Sequence, residues 1–244
     1  MKTAKSSSHS SRANLNKIFP SIQQTIVDLH DGATIMIGGF EDKGIPQSLI
    51  HVLYKKGAKN LTIVSHDLGS RDQGVRSLLE KNQVKKLIAA SLGEDHFFED
   101  LVKKGELQIE LNALGTFSER IRAGGAGLGG FYTPTAYGTI LAENKETKTL
   151  NGKNYVLELP LRANFAFVKA WKGDRFGNLI YDATCRNFNP IMATAADIAI
   201  AEVEELVLAG QLDPNQIHTP GIFVQRVVQK SILASAQELD KATE

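Results

Sequence analysis

Asp31-Gly32-Ala33-Thr34-Ile35-Met36-Ile37-Gly38-Gly39-Phe40-Glu41-Asp42-Lys43-Gly44-Ile45-Pro46 decides how this chain folds. A turn pair leads into an apolar run, two glycines interrupt it, and a proline suited to the first turn of a helix closes the stretch. That order reads as strand, tight loop and helix start. Glycines there let the backbone take positive φ and approach a ligand closely. The Gly44-Ile45-Pro46 end suggests amides at a helix N-terminus, which favour phosphate or carboxylate. On physics alone the stretch is an anion-binding βα loop. It is not the dinucleotide fingerprint, because Gly38-Gly39-Phe40 lacks the G-x-G-x-x-G spacing and no acidic residue about twenty positions on ends a second strand.

Outward from this stretch the strand–helix alternation repeats. Residues 18–30 have helical spacing at Ile22, Ile26, Val27 and Leu29 and stop at Asp31-Gly32. Residues 34–37 read as the first strand, and 46–56 as a helix with Leu49, Ile50 and Leu53 on one face and Gly57 as terminator. Residues 61–64, 84–90 and 107–111 read as strands, and 71–81 and 96–104 as helices. Four βα units in series imply an α/β protein with a doubly wound, mainly parallel open sheet and helices on both faces. The pattern changes near Thr116. Residues 124–138 hold six glycines and several aromatics, too loop-rich for another plain βα unit. Asn151-Gly152 signals a late hairpin. Further strands are expected at 155–159, 165–171, 179–181, 198–202 and 222–227, with a short helix at 190–196. Without repeats or a low-complexity linker, residues 18–228 read as a single domain, flanked by a disordered tail at 1–17 and a C-terminal tail at 229–244.

Composition narrows the function. The 244 residues include 28 basic and 27 acidic side chains, so bulk charge gives no reason to invoke nucleic acid. A hydrophobic content of 42% supports a substantial core. Cys185 is alone, which excludes a disulfide framework and a cysteine metal site. A free buried thiol in a reducing cytoplasm is expected, and no neighbouring His or helix start frames it as a nucleophile. The apolar runs fall short of membrane-spanning length. Residues 1–17 are Ser- and Lys-rich with no acid and no apolar signal core; a transit peptide is conceivable, a solvated tail the plainer reading. His9, His30, His51, His66 and His96 show no metal-ligand spacing.

The residue pattern Asp-Gly, apolar run, Gly-Gly-Phe, Gly-x-Pro resembles the signature of the family I coenzyme A transferases, in their A (alpha) subunit. The likeness continues in the family's order. It includes Phe117-Ser118-Glu119-Arg120-Ile121-Arg122-Ala123-Gly124-Gly125-Ala126-Gly127, then Phe131-Tyr132-Thr133-Pro134-Thr135 with Gly138-Thr139. Arg186-Asn187-Phe188-Asn189-Pro190 follows, and Asp213-Pro214 with His218-Thr219-Pro220-Gly221 closes it. Together these segments are far more specific than any one of them.

The resemblance implies transfer of coenzyme A between an acyl-CoA and a free carboxylic acid, of short-chain or 3-oxo type. It implies a B (beta) subunit whose glutamate, in a Ser-Glu-Asn-Gly run, is the nucleophile, so this chain carries no catalytic residue, no metal and no permanent cofactor, with coenzyme A as substrate. Ala142-Glu143-Asn144-Lys145 lacks the Ser before and the Gly after, which argues against Glu143. Coenzyme A contacts are expected from Gly38, Gly39, Phe40, Glu41, Asp42, Lys43 and Gly44, and substrate contacts from Leu114, Gly115 and Thr116. Three segments depart from the family. Glu41 replaces a small residue, Leu114 stands where active relatives have a glutamine thought to bind the oxyanion, and Ser91-Leu92-Gly93-Glu94-Asp95 differs from S-Y-x-G-x-N. Leu114 and Glu41 leave open a noncatalytic relative that keeps the scaffold and the partner interface. An unrelated isomerase-type α/β enzyme would share the sheet without these motifs. Glu119, Arg120 and Arg122 read equally as structural ion pairs, Asn189 as an N-cap and His218 as a loop residue.

Overall fold

Residues 16–69, 74–93 and 97–230 are described by the structure, a computed structural model. The first half alternates α1 (Ile22–Thr25), β1 (Thr34–Ile37), α2 (Gln47–Lys56), β2 (Leu61–Ser65), α3 (Arg76–Glu80), β3 (Val84–Ala89), α4 (Phe97–Lys103), β4 (Gln108–Leu111) and α5 (Leu114–Gly125). A small excursion follows, with β5 (Phe131–Thr133), β6 (Thr147–Leu150) and β7 (Lys153–Glu158). The chain returns through β8 (Ala163–Asp174), β9 (Leu179–Ile180), α6 (Asn189–Thr194), β10 (Ala196–Val207) and β11 (Arg226–Gln229).

The large sheet has the order β11-β10-β8-β1-β2-β3-β4, all parallel, with β9 pairing antiparallel on β8. Side chains alternate across a strand. In β1, Ile35 and Ile37 face one layer with Leu49, Ile50 and Leu53 of α2 and Leu78 and Leu79 of α3. Met36 faces the other, with Phe117 and Ile121 of α5 and Met192 of α6. Both faces are therefore covered, which is why these strands read as unbroken apolar runs. Each fully buried Ile, Leu or Phe contributes on the order of 1.5–3 kcal/mol.

Asn151 at φ 51° and Gly152 at φ 75° turn β6 into β7, as the dipeptide predicts for a hairpin. Together with β5 these strands make a separate antiparallel sheet.

Several sequence expectations need correction. The helix expected over 18–30 shrinks to α1, because Ile26 and Leu29 bury themselves in the turns that follow while Val27 is 73% exposed. The helix expected over 71–81 is seen as α3, and part of its expected start lies outside the described residues. The last strand begins at Arg226, since Gly221–Phe223 forms a 3₁₀ turn after Pro220. The glycine-rich loop begins later than residue 124, because Gly124 and Gly125 complete α5. A Cβ on Gly124 would lie 1.9 Å from the Leu161 carbonyl oxygen, and one on Gly125 2.1 Å from Thr194 Oγ1. These two glycines let α5 press against the chain entering β8 and against α6. The expected tails fall largely outside the described residues, although Lys17 and Gln229 at their inner edges are hydrogen-bonded into the sheet region.

Candidate functional site

From β1 the chain steps outward through β2, β3 and β4, then returns on the other side of β1 and steps outward through β8, β10 and β11. The winding direction therefore reverses between β1 and β8. In open α/β sheets, ligands bind outside the carboxyl ends of strands at such a switch point. The glycine loop 38–44 leaves β1 at that place.

Its roots are buried and its tip is open: Gly38, Gly39 and Gly44 are buried, whereas Phe40, Glu41, Asp42 and Lys43 are exposed. Gly38 N–H donates to Phe167 O at 2.9 Å, prolonging the ladder to β8. Phe40 and Lys43 exchange main-chain hydrogen bonds of 3.0 Å each way, closing a tight turn with Glu41 at φ 51°. Gly44 sits at φ 70°, and a Cβ there would lie 2.5 Å from Cys185 O and 2.8 Å from Asn189 Nδ2. Only glycine satisfies both the dihedral and the clearance.

Two clamps hold the loop. On the β8 side, Asn189 is fully buried. Its Oδ1 accepts from Lys169 N–H at 2.9 Å, and its Nδ2 donates to Gly44 O at 3.0 Å and Cys185 O at 2.8 Å. Asn187 Nδ2 donates to Lys43 O at 2.9 Å. Asn189 is thus the bracket between β8 and the loop rather than the N-cap of α6; Phe188 holds the N-cap position. On the β2 side, Asp67 Oδ2 accepts from Glu41 N–H at 2.8 Å and Oδ1 from Gly69 N–H at 2.8 Å. Burial pushes the Asp67 carboxyl up, but hydrogen bonds from His66, Glu41 and Gly69 outweigh it and hold it below the usual carboxylate range.

α2, which leads away from the loop, has no side-chain cap at Pro46. Glu202 of β10 supplies one across the fold, accepting from Ser48 N–H at 2.9 Å, Ser48 Oγ at 3.0 Å and Leu49 N–H at 3.2 Å. A cap of this kind stabilises by about 0.5–2 kcal/mol.

The three expected substrate residues form the first turn of α5, after β4. Leu114 is 49% exposed, Gly115 is exposed and Thr116 is buried. The first bond of this helix runs from Phe117 N–H to Ala113 O, so the amides of 114–116 have no intrahelical acceptor. A cluster of rings ties this turn to the glycine loop. Phe40 stacks on His66 at 4.1 Å between centroids, His66 on Phe188 at 5.3 Å, and Phe188 meets Phe117 edge-on at 5.5 Å.

The remaining candidates are structural. Arg120 Nη1 donates to Glu110 and to Asn112, at 2.6 Å each, and its Nε to Leu159 O at 2.7 Å, joining α5 to β4 and to the end of the hairpin. Glu119 and Arg122 pair on the exposed surface. His218 Nδ1 accepts from Tyr181 N–H at 3.0 Å, which fixes that nitrogen as unprotonated. Burial and nearby Arg186 push the His218 pKa down. Cys185 is half-buried rather than buried. Glu143 is exposed, just beyond a 3₁₀ turn at Ile140–Ala142. Among the described residues no group of three or more His, Cys, Asp or Glu could hold a metal ion, and no helix is long and apolar enough to cross a membrane.

The sequence reading misses His66 and Asp67 as site residues. The available signal was positional: they follow the apolar strand beside β1, so a parallel sheet brings them to the same carboxyl edge.

Fold and site together define a doubly wound α/β protein with an anchored glycine loop at its switch point. A family description, coenzyme A transferase, matches residues 19–230. The chain belongs to the coenzyme A transferase family. It is 47% identical over 213 residues to the A chain of a succinyl-CoA:3-ketoacid coenzyme A transferase of Helicobacter pylori (strain J99), covering 87% of this chain and 92% of the relative. It is 46% identical over 230 residues to the A chain of a 3-oxoadipate CoA-transferase of Pseudomonas putida, covering 93% and 99%. Among solved structures, glutaconate coenzyme A-transferase of Acidaminococcus fermentans superposes with a TM-score of 0.76 at 18% identity, covering 87% of this chain and 75% of that one. An acyl-CoA transferase from Escherichia coli O157:H7 superposes with a TM-score of 0.81 at 20% identity over 91% of this chain, which spans about half (48%) of that longer one. The likeness to these two structures is one of fold.

Proposed function

We propose that this chain is the alpha subunit of a heteromeric, cytoplasmic coenzyme A transferase. A single family domain over residues 18–228 would act on a short-chain or 3-oxoacyl-CoA and a free carboxylic acid. The observation that carries the reading is the doubly clamped loop at the switch point, with Phe40–Lys43 open to a ligand, in a chain nearly half identical to named alpha-type chains. Coenzyme A lies along residues 38–44, and the acyl carbonyl lies near Leu114, Gly115 and Thr116. Main-chain amides of that helix turn offer donors to the oxyanion that forms on attack, a role the Leu114 side chain lacks.

The nucleophile is a glutamate of a B (beta) subunit. Its carboxylate attacks the thioester carbonyl, expelling CoA thiolate and leaving an acyl-glutamyl anhydride. The thiolate then attacks the glutamyl carbonyl, giving a glutamyl-CoA thioester and releasing the first acid. The second acid's carboxylate attacks that thioester, and the thiolate finally takes its acyl group. No permanent cofactor is needed.

The test is an acyl-exchange assay of the purified chain, alone and with a beta-type chain carrying Ser-Glu-Asn-Gly. Turnover with ping-pong kinetics only in the mixture is the expected result. Full turnover by the single chain would overturn the assignment. A stable complex inert toward acetyl, butyryl and acetoacetyl donors would identify a noncatalytic relative instead.

A further inference from the structure

The carboxylate of Asp67 is shared in an unusual way. Its Oδ2 accepts from the Glu41 amide at 2.8 Å and from His66 Nδ1 at 2.7 Å, while Oδ1 takes the Gly69 amide at 2.8 Å. An ionised carboxylate only accepts, so Nδ1 of His66 carries the proton that it gives to Asp67. His66 is itself fixed. Its main-chain oxygen accepts from Ala90 N–H at 3.1 Å and Ser91 N–H at 2.9 Å, and its ring packs against both Phe40 and Phe188, which also stack on each other. The pair is largely enclosed, with side chains 9% and 17% exposed. The loop tip it reaches is open, and Phe40 and Glu41 both depend on it: one through ring stacking, the other through its amide.

We propose that His66 and Asp67 are positioning residues that hold Phe40–Lys43 in the shape that receives acyl-CoA, a role that rests on the function proposed above. Neither need touch the ligand. Asp67 fixes the Glu41 amide within the tight turn, and His66 fixes both the Asp67 carboxylate and the plane of the Phe40 ring. Without them the tip keeps, among the described residues, its own Phe40–Lys43 bonds, the stacking of Phe40 on Phe188 and the asparagine clamp beyond it, so it samples other arrangements before binding. An unordered binding element lowers apparent affinity in proportion to the fraction of time it is competent.

The experiment uses the full chain, alone and assembled with its beta-type partner, as wild type, Asp67→Ala and His66→Phe. The phenylalanine keeps a ring against Phe40 and Phe188 but loses the proton given to Asp67. In the chain alone, amide hydrogen exchange over residues 40–43 should speed up at least about fivefold in Asp67→Ala, and less in His66→Phe. The melting midpoint should stay within a few degrees. In the assembled complex, kcat/KM for acyl-CoA should fall about tenfold in Asp67→Ala while kcat at saturating acyl-CoA stays within about threefold. If Asp67→Ala does not fold, His66→Phe carries the same comparison. Unchanged exchange over 40–43 overturns the positioning role. Faster exchange with unchanged kcat/KM also overturns it, and traces the failure to the reading of the loop as the acyl-CoA site. Equal loss of kcat and kcat/KM, with a collapsed midpoint, would mean that the pair merely supports the fold.

Discussion

Leu114 is half exposed in the first turn of α5, where the amides of 114–116 have no intrahelical acceptor, and the proposed function puts the acyl group beside it. A leucine there adds an apolar wall and removes the amide donor that a glutamine would offer. Loss of an oxyanion donor costs on the order of a hundred- to a thousandfold in turnover. Three main-chain amides in the same turn can recover part of that. In the assembled enzyme, Leu114→Gln should therefore raise turnover about tenfold or more on acetoacetyl donors, and weaken any preference for longer aliphatic acyl groups. Rates measured with acetyl, butyryl and acetoacetyl donors decide it; equal or lower mutant rates on all three would show that Leu114 is not at a weakened oxyanion site. At the same scale, the glycines of the loop were legible in the sequence, and the reason for them was not. Gly38 and Gly44 look like ligand-facing residues in a motif, yet each is needed because residues far along the chain fill the space a Cβ would take: Asn189 at Gly38, and Cys185 O with Asn189 at Gly44. No local pattern reports such a contact.

Among the elements, β1, α2, β2 and the 151–152 hairpin turn were legible because apolar period, helix stop and turn chemistry all agreed there. α1 and the last strand were misplaced where tertiary packing overrode the pattern: buried side chains outside a helix keep helical spacing, and a Thr-Pro-Gly corner diverts residues that would suit a strand. α5 was not anticipated, because residues from Gly124 on read as the start of a loop; Gly124 and Gly125 serve helix packing instead. Its tie to the sheet gives a pH test. Glu110 of β4 meets Lys86 of β3 at 2.6 Å and Arg120 of α5 at 2.6 Å. Burial pushes its carboxyl up, but Lys86 and Arg120 outweigh that and hold it below the usual range. A carboxyl lowered by folding contributes stability that is present above its unfolded pKa and lost as pH falls through its folded pKa. Glu110→Gln should thus cost about 1–3 kcal/mol at pH 7, through the partly unpaired Arg120. Urea unfolding at pH 7 and near pH 3 measures the difference, which should shrink at the lower pH. A gap independent of pH would mean that the Glu110 charge does not hold α5 to the sheet.

The whole molecule presents an uneven surface. Leu128, Tyr137, Ile140 and Leu159, on or beside the glycine-rich segment, are between 43% and 78% exposed. Exposed apolar residues that form one contiguous patch mark an interaction face, and the proposed function puts the partner there. Hydrogen exchange over residues 124–138 should slow when coenzyme A and the beta-type partner are added, and unchanged exchange with binding shown independently would refute a covered face there. Glu143, in the run that faintly echoes the family's glutamate motif, lies exposed just beyond a 3₁₀ turn. The proposed function takes the catalytic carboxylate from the partner. The most direct measurement is intact-protein mass spectrometry of the assembled complex, quenched after mixing with acyl-CoA in the absence of an acceptor acid. A coenzyme A thioester should form on a glutamate of the partner, with this chain unmodified. An acyl or coenzyme A adduct on any residue of this chain, with the partner unmodified, would contradict the account.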